Sequence, residues 1–221
     1  DVYKRQHSCC IIRLNLGHLS FPIFLKENGK TYVYPENCGG GALRIYEYDY
    51  STDKLVNPQV IIDEPLVDTI IHKIDGTYYA FGVVDDGVSH ESTKILKVYS
   101  SKTLTGKYTQ IQIIKNDKKW ERGAGHIIER NGHIYRPAQS CEEIYGHHIV
   151  FFEMVFDGIK FKEKFVGDIM PGKEYPLSIH TYNELEGYVV IDSLGYYYGR
   201  FSQFLINTKS FLQKCLKLIK M

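Results

Sequence analysis

A strand–turn–strand pattern recurs four times along the chain. Each copy has an apolar strand, a turn that contains glycine, and a second strand rich in apolar or aromatic residues. Asn-Gly and Asp-Gly at such turns provide the positive φ that a tight hairpin requires. The pattern therefore predicts four β-hairpins, at residues 21–36, 68–83, 125–139 and 179–193, with turn glycines Gly29, Gly76, Gly132 and Gly187.

The spacing of these hairpins predicts a β-propeller. Successive turn glycines are 47, 56 and 55 residues apart, which fits one four-stranded blade per repeat. Residues 41–49 and 94–101 alternate apolar and polar positions, and residues 148–156 form a more continuous apolar run, so each predicts a further strand. Asn57-Pro58 and residues 103–108 are interpreted as connecting turns.

The predicted fold class is all-β, with residues 18–199 forming the propeller. The chain has no initiating Met and starts within the pattern. We therefore expect a five-bladed propeller whose first blade is missing, with residues 1–17 as a non-native segment or a remnant of that blade. A closed four-bladed propeller is the alternative.

Residues 200–221 differ from the repeats. Apolar residues recur there at spacings of three and four, with lysines at other positions, which predicts a basic amphipathic helix. This helix either packs on its own domain or uses residues 201–219 to contact a partner protein or an anionic membrane. The apolar positions are Phe201, Phe204, Leu205, Phe211, Leu212, Cys215, Leu216 and Ile219, and the lysines are Lys209, Lys214, Lys217 and Lys220.

Composition narrows the function classes. The net charge is +1, from 27 basic and 26 acidic residues, which argues against a nucleic-acid partner. The five cysteines match no zinc or redox spacing, so we expect reduced thiols and neither a metal nor a cofactor. The sequence shows no signal-peptide pattern. These features predict a cytoplasmic protein, with the inner face of the membrane as a further location if the basic helix binds lipid.

Polar residues recur at the same end of every predicted hairpin. In a propeller the inner strands surround one channel, so these side chains are expected to gather on one face. Strand starts contribute His18, Ser20, Asp68, Arg122, His126 and His180, and strand ends contribute Glu36, Arg136, Gln139 and Asp192. The set predicts a ligand-binding face at one end of the channel.

Glycoside chemistry requires two carboxyl groups, one as an acid and one as a base or nucleophile. Asp68 and Glu36 are the candidate catalytic residues, and the other eight residues are candidate substrate-binding residues. A nearby arginine would keep a carboxylate ionised or bind a sugar phosphate.

Several short motifs carry a resemblance to a known family. They are residues 18–22 (His-Leu-Ser-Phe-Pro) with 34–36 (Tyr-Pro-Glu), residues 67–68, 100–101 and 104–106, 122–125 (Arg-Gly-Ala-Gly), 136–139 (Arg-Pro-Ala-Gln), 145–146 and 179–183. The chain resembles the N-terminal propeller domain of plant glucosamine inositolphosphorylceramide transferases. Bacterial relatives of that domain occur alone or beside formyltransferase-like domains. Its architecture is similar to the five-bladed propellers of glycoside hydrolase family 43.

Two departures from the family pattern bear on function. The family's opening blade, which in hydrolase propellers carries the base or nucleophile Asp, has no counterpart here, and residues 112–120 replace a proline-containing stretch. The resemblance implies a carbohydrate-binding or carbohydrate-processing module for glycan or glycolipid synthesis, with a transferase as partner or neighbouring domain. The alternatives are a family 43-like glycosidase that uses paired carboxylates and a non-enzymatic interaction scaffold.

Overall fold

All four predicted hairpins are present, and three of their turns share one conformation. The structure is a computed structural model that describes residues 14, 19–84, 91–185, 187–195, 204 and 208. In the first three hairpins the residue before the turn glycine also has a positive φ: 50° at Asn28, 46° at Asp75 and 54° at Asn131. Two consecutive positive φ values are typical of type I′ turns, whose twist matches that of the flanking strands.

The strands form four antiparallel sheets in chain order. The first sheet contains β1 (Ser20–Glu27), β2 (Lys30–Glu36), β3 (Leu43–Asp49) and β4 (Lys54–Ile62). The second contains β5 (Leu66–Ile74), β6 (Thr77–Val84), β7 (Ile95–Ser101) and β8 (Thr109–Lys115). The third contains β10 (Ile128–Arg130), β11 (His133–Ser140), β12 (His148–Phe156) and β13 (Phe161–Ile169), and β9 (Arg122–Gly123) also pairs with β11. The fourth contains β14 (Ser178–Leu185) and β15 (Tyr188–Leu194).

Each sheet packs its apolar face against the next one. Residues such as Ile23 and Leu43 of the first sheet share a buried cluster with Ile71 and Ala80 of the second. A second cluster joins the second and third sheets through Phe81, Val98, Met154 and Phe161, and a third joins the third and fourth sheets through Ala124, Ile149 and Ile179. Successive antiparallel sheets packed face to face are the architecture of a β-propeller. The all-β prediction is confirmed, whereas the number of blades stays a prediction.

Asn57-Pro58 does not form the predicted connecting turn. Both residues lie inside β4, where Asn57 has a φ of 53°. The register jumps there, because Glu47 pairs with Val56 while Ile45 pairs with Gln59. The pair therefore forms a β-bulge, and an outermost strand accepts proline because the missing N–H faces away from the ladder.

The predicted C-terminal helix falls almost entirely outside the described residues. Phe204 and Thr208 have helical backbone, and the Thr208 hydroxyl donates a hydrogen bond to the Phe204 carbonyl oxygen at 2.8 Å. The other helical segments among the described residues are the short 3-10 turns Cys38–Gly40 and Glu91–Lys94. Within the described part of the chain, no helix is both long and apolar enough to cross a membrane.

We expect Gly123→Ala to destabilise the domain. A Cβ at position 123 would lie 2.2 Å from the carbonyl oxygen of Asp68 and 3.1 Å from the side chain of Ile70. The second and third sheets would have to separate, at a cost of about 1–3 kcal/mol, typical of overpacking. Urea unfolding measures this loss. Gly172→Ala is the control, because a Cβ there meets nothing within 4 Å; equal urea midpoints for the two variants would contradict the tight contact.

Candidate functional site

Strands β2, β5 and β9, from three different sheets, bring Glu36, Asp68 and Arg122 together. Arg122 Nε donates to Asp68 Oδ2 at 2.5 Å, and Arg122 Nη2 lies 4.0 Å from Glu36 Oε2. The backbone N–H of Asp68 donates to Glu36 Oε2 at 3.1 Å. Both acids are almost fully buried, with 4% of Asp68 and 7% of Glu36 exposed. One guanidinium therefore faces two buried carboxyl groups.

Bulges at equivalent positions direct side chains into this site. The ladder register shifts between Ser20 and Ile23 in β1, between Val67 and Ile70 in β5, and between Ile179 and Thr181 in β14. Phe21 and Asp68 have φ values of 44° and 46° within the first two bulges. A positive φ is costly for residues other than glycine, and such strain concentrates at functional sites.

Burial is the main influence on the acidity of Asp68. It raises the pKa of that carboxyl, Arg122 opposes the increase, and Glu36 adds to it through its charge and a hydrogen bond. A single guanidinium cannot neutralise two buried carboxylates, so Asp68 retains its proton to a higher pH than an ordinary aspartic acid does. The carboxyl groups of a glycosidase stand about 5 Å or more apart, with the sugar between them. Glu36 and Asp68 instead both face the Arg122 guanidinium.

Gln139 completes the buried part of the cluster. Its Nε2 donates to the Gly123 carbonyl oxygen at 2.7 Å and to Asp68 Oδ2 at 3.3 Å. Within the described part of the chain its Oε1 is buried without a hydrogen-bond partner. The amide thus holds β9 and Asp68 in register, and its oxygen is left able to accept a hydrogen bond.

A row of partly exposed side chains continues from Arg122 toward solvent. The Arg122 guanidinium lies 4.8 Å from the centre of the Tyr145 ring, and that ring lies 5.4 Å from the ring of His180. His180 Nδ1 in turn lies 3.9 Å from Asp192 Oδ2. The resulting surface combines a cation, two aromatic rings and a carboxylate.

A cleft of about 620 Å³ lies between the first, third and fourth sheets. His126 lines it, donates its backbone N–H to Asn183 Oδ1 at 3.0 Å, and has its ring centre 6.3 Å from that of Phe24. Burial lowers the pKa of His126, which favours the neutral imidazole. The other residues that line the cleft include Phe21, Phe24, Thr181, Asn183 and Asp192. This volume is in the range of small-molecule sites.

The structure describes nine of the ten predicted site residues. Glu36, Asp68, Arg122 and Gln139 form the buried cluster, and Ser20 pairs with Glu36 in the β1–β2 ladder beside it. His126, His180 and Asp192 line the cleft or the row beside it. His18 lies outside the described residues, and Arg136 lies elsewhere.

Arg136 does not face the channel, contrary to the prediction. Its fully buried guanidinium is held by Glu163 Oε1 and Glu121 Oε2, both at 2.6 Å, and its Nη1 donates to the Glu121 carbonyl oxygen at 3.2 Å. Arg136 and Gln139 are three residues apart on β11, so their side chains lie on opposite faces. Arg136 therefore balances buried charge within the third sheet.

The sequence argument missed Tyr145, Phe21 and Phe24. In the sequence Tyr145 is marked only by a family motif. The glycine after it is the structural signal: Gly146 has a φ of 60°, and a Cβ there would lie 2.0 Å from the His180 ring, so the backbone passes close to His180. The two phenylalanines had no polar signal to mark them. Among the described residues, no group of three or more His, Cys, Asp and Glu side chains is placed to hold a metal ion.

Comparison with known proteins identifies the family. Residues 8–170, about three quarters of the chain, match the family described as "Glucosamine inositolphosphorylceramide transferase 1, N-terminal". The chain belongs to this family. It is 28% identical to glucosamine inositolphosphorylceramide transferase 1 of Oryza sativa subsp. japonica over 143 residues, which are 62% of this chain and 19% of the rice protein. The Arabidopsis thaliana protein of the same name is 33% identical over 136 residues, 60% of this chain and 18% of that protein.

The chain thus spans about a fifth of the length of the curated relatives that it matches. Solved structures with the same fold include Cellvibrio cellulosa alpha-L-arabinanase complexed with arabinohexaose, with a TM-score of 0.51, 16% identity, and coverage of 66% of this chain and 56% of that one. The exo-beta-1,3-galactanase of Phanerochaete chrysosporium with galactose gives a TM-score of 0.53 at 12% identity, covering 68% of this chain and 39% of that one. These likenesses concern the fold.

We expect Glu121→Gln to flatten the pH dependence of stability. Burial raises the pKa of Glu121, so the folded state binds a proton more tightly than the unfolded state. The associated stability is present below the ordinary glutamate pKa and is lost as the pH rises through the raised value. Glutamine mimics the protonated acid and should be close to wild type near pH 5 and more stable near pH 8 (about 1 kcal/mol or more).

Urea unfolding between about pH 5 and pH 8 tests this expectation. Glu153→Gln is the control, because Glu153 contacts only the exposed His133 ring in the described contacts, at 2.6 Å. A Glu121→Gln variant that loses stability as steeply as wild type with rising pH would show that Glu121 is ionised in the folded protein.

Proposed function

We propose that this domain is a carbohydrate-binding propeller module that serves glycan or glycolipid synthesis. The observation that carries the proposal is the convergence of Arg122, Tyr145, His180 and Asp192 beside a cleft of about 620 Å³. Small-molecule sites combine apolar or aromatic walls with a few fixed polar groups. Sugars present both C–H faces for aromatic rings and hydroxyl groups for charged side chains.

The ligand class that we propose is a carbohydrate or sugar phosphate. Arg122 commits its Nε to Asp68, and an arginine has five N–H donors. The remaining donors are therefore positioned for hydroxyl or phosphate oxygens, while the Tyr145 ring fixes the plane of the guanidinium. The rice and Arabidopsis relatives are named glucosamine inositolphosphorylceramide transferase 1, which supports a transferase as the neighbouring domain or partner.

The close pairing of Glu36 and Asp68 favours binding over the glycosidase alternative. These acids share Arg122 and a hydrogen bond, and a hydrolytic pair needs a sugar between its carboxyl groups. In this proposal their role is to hold Arg122 in position. The scaffold alternative predicts no sugar affinity. Measurements of sugar binding and of glycoside hydrolysis therefore separate the three hypotheses.

We expect Tyr145→Ala to weaken sugar binding about tenfold or more, equivalent to about 1.4 kcal/mol, because Arg122 loses the ring that orients it. Glycan-array screening identifies the ligand, and calorimetry measures its affinity. Tyr50→Ala is the matched control, an exposed tyrosine of the first sheet whose hydroxyl contacts Thr31.

Three outcomes would overturn the proposal. Equal loss in Tyr145→Ala and Tyr50→Ala would place the site elsewhere. Hydrolysis of an aryl glycoside, abolished in Asp68→Asn, would establish the glycosidase. Absence of sugar binding together with co-purification of a transferase would establish the scaffold.

A second part of the proposal concerns residues 201–219, which we place at the cytoplasmic face of an anionic membrane. Its support is the sequence pattern of apolar residues flanked by lysines. We expect the protein to float with phosphatidylserine-containing liposomes, and replacement of Lys209, Lys214, Lys217 and Lys220 by glutamine to abolish flotation. Each lysine near such a surface contributes on the order of 1 kcal/mol. Flotation unchanged by the replacement would leave a packing role or a protein partner.

A further inference from the structure

A second concave surface lies between the third and fourth sheets. It adjoins the cleft of about 620 Å³, which we call the channel cleft, at Glu184, a residue that lines both. It is a groove of about 590 Å³. Consecutive residues of β14 face the two sites, Asn183 lining the channel cleft and Tyr182 lining the groove. We refer to this surface as the inter-sheet groove, and its lining includes Arg130, Tyr135, Phe151, Asp168, Tyr182 and Glu184.

The strand register explains why the groove is concave and aromatic. Tyr135, Phe151 and Gly167 lie on one face of the third sheet, with Phe151 paired directly opposite Gly167. A Cβ on Gly167 would meet nothing within 4 Å, so the space beside Phe151 is open. From the fourth sheet, the Tyr182 ring packs edge-on against Phe151 at 5.1 Å and 90°. The packed rings of Phe151 and Tyr182 therefore form one side of the groove, and the space above Gly167 is open.

A charged and hydrogen-bonded rim borders these rings. Arg130 Nη2 donates to both carboxylate oxygens of Glu184, at 3.0 and 3.2 Å, and the Tyr182 hydroxyl donates to Glu184 Oε1 at 2.8 Å. Asp168, about half exposed, adds a further carboxylate to the lining. Arg130 makes both of these bonds through Nη2, which carries two of its five N–H groups, and a carboxylate has about four lone-pair sites, more than these bonds use.

We propose that the inter-sheet groove binds hexose units of a neutral carbohydrate chain. Such a chain presents apolar C–H faces to Phe151 and Tyr182, and hydroxyl groups that both donate to carboxylates and accept from Arg130. Two acids against one arginine disfavour an anionic ligand. Glu184 lines both this groove and the channel cleft, so a single glycan chain that occupies both would be held at two points and gain avidity.

Nuclear magnetic resonance titration of the ¹⁵N-labelled full chain tests the proposal. The probes are cellotetraose, maltotetraose, mannotetraose and galactotetraose. We expect at least one of them to shift the amide signals of residues 130–135, 151, 166–168 and 182–184. Arg130→Ala and Asp168→Asn should each weaken that binding about fivefold, or about 1 kcal/mol. Both residues are exposed enough to be replaced without loss of the fold, with 64% of Arg130 and 47% of Asp168 accessible.

Lys162→Ala is the matched control, because it removes an equally exposed cation (68%) that lies 3.8 Å from Asp157 on the same sheet and outside the groove. Equal affinity in Arg130→Ala, Asp168→Asn and Lys162→Ala would overturn the assignment. So would shifts confined to residues 122–126, 145 and 180, which would locate all sugar binding in the channel. Groove shifts caused by a ten-residue Ser-Ala peptide and by none of the four sugars would identify a peptide site instead.

Discussion

A buried arginine that faces two carboxyl groups is the interaction on which this domain depends, and it occurs twice. Arg122 joins Glu36 of the first sheet to Asp68 of the second, while itself belonging to the third. Arg136 joins Glu163 to Glu121, the residue immediately before Arg122. Removing the arginine from such a group leaves uncompensated buried carboxylate charge, at a cost of about 3–5 kcal/mol. The first three sheets are therefore held together by the ion pairs of Arg122 as well as by apolar packing.

The hairpins could be predicted from sequence because their signals are local. An Asn or Asp followed by Gly sets two consecutive positive φ values, and period-two alternation sets which face is buried. The bulges could not be predicted, because nothing in the sequence around Phe21 or Asp68 indicates a left-handed residue. Asn57-Pro58 shows the opposite case: a strong local signal predicts a turn, but in the structure the two residues form a bulge within an outermost strand. Pairing with β3 outweighed the local preference.

For the candidate site, position along the hairpins was a good guide and side-chain direction was not. Placing polar residues at one end of each hairpin brought Glu36, Asp68, Arg122 and Gln139 together correctly as neighbours. The same reasoning wrongly included Arg136, although its odd spacing from Gln139 on β11 already predicts opposite faces. Tyr145 lies in a connection between strands, where neither periodicity nor hairpin position applies. Only the close packing of Gly146 against His180 fixes its place.

The buried acids constrain what the exposed residues can recognise. With Asp68 protonated, the group that Glu36 and Asp68 form with Arg122 is neutral; with Asp68 ionised its charge is −1. Burial raises the pKa of Asp68, so the neutral state extends to a higher pH than for an ordinary aspartate. An anionic sugar phosphate would meet a neutral group only while the proton is bound and a net negative group after its loss, whereas the affinity for a neutral sugar would change little. In the proposed function, the protonation of Asp68 would therefore select between the two ligand classes, while Tyr145, His180 and Asp192 would provide the contact surface.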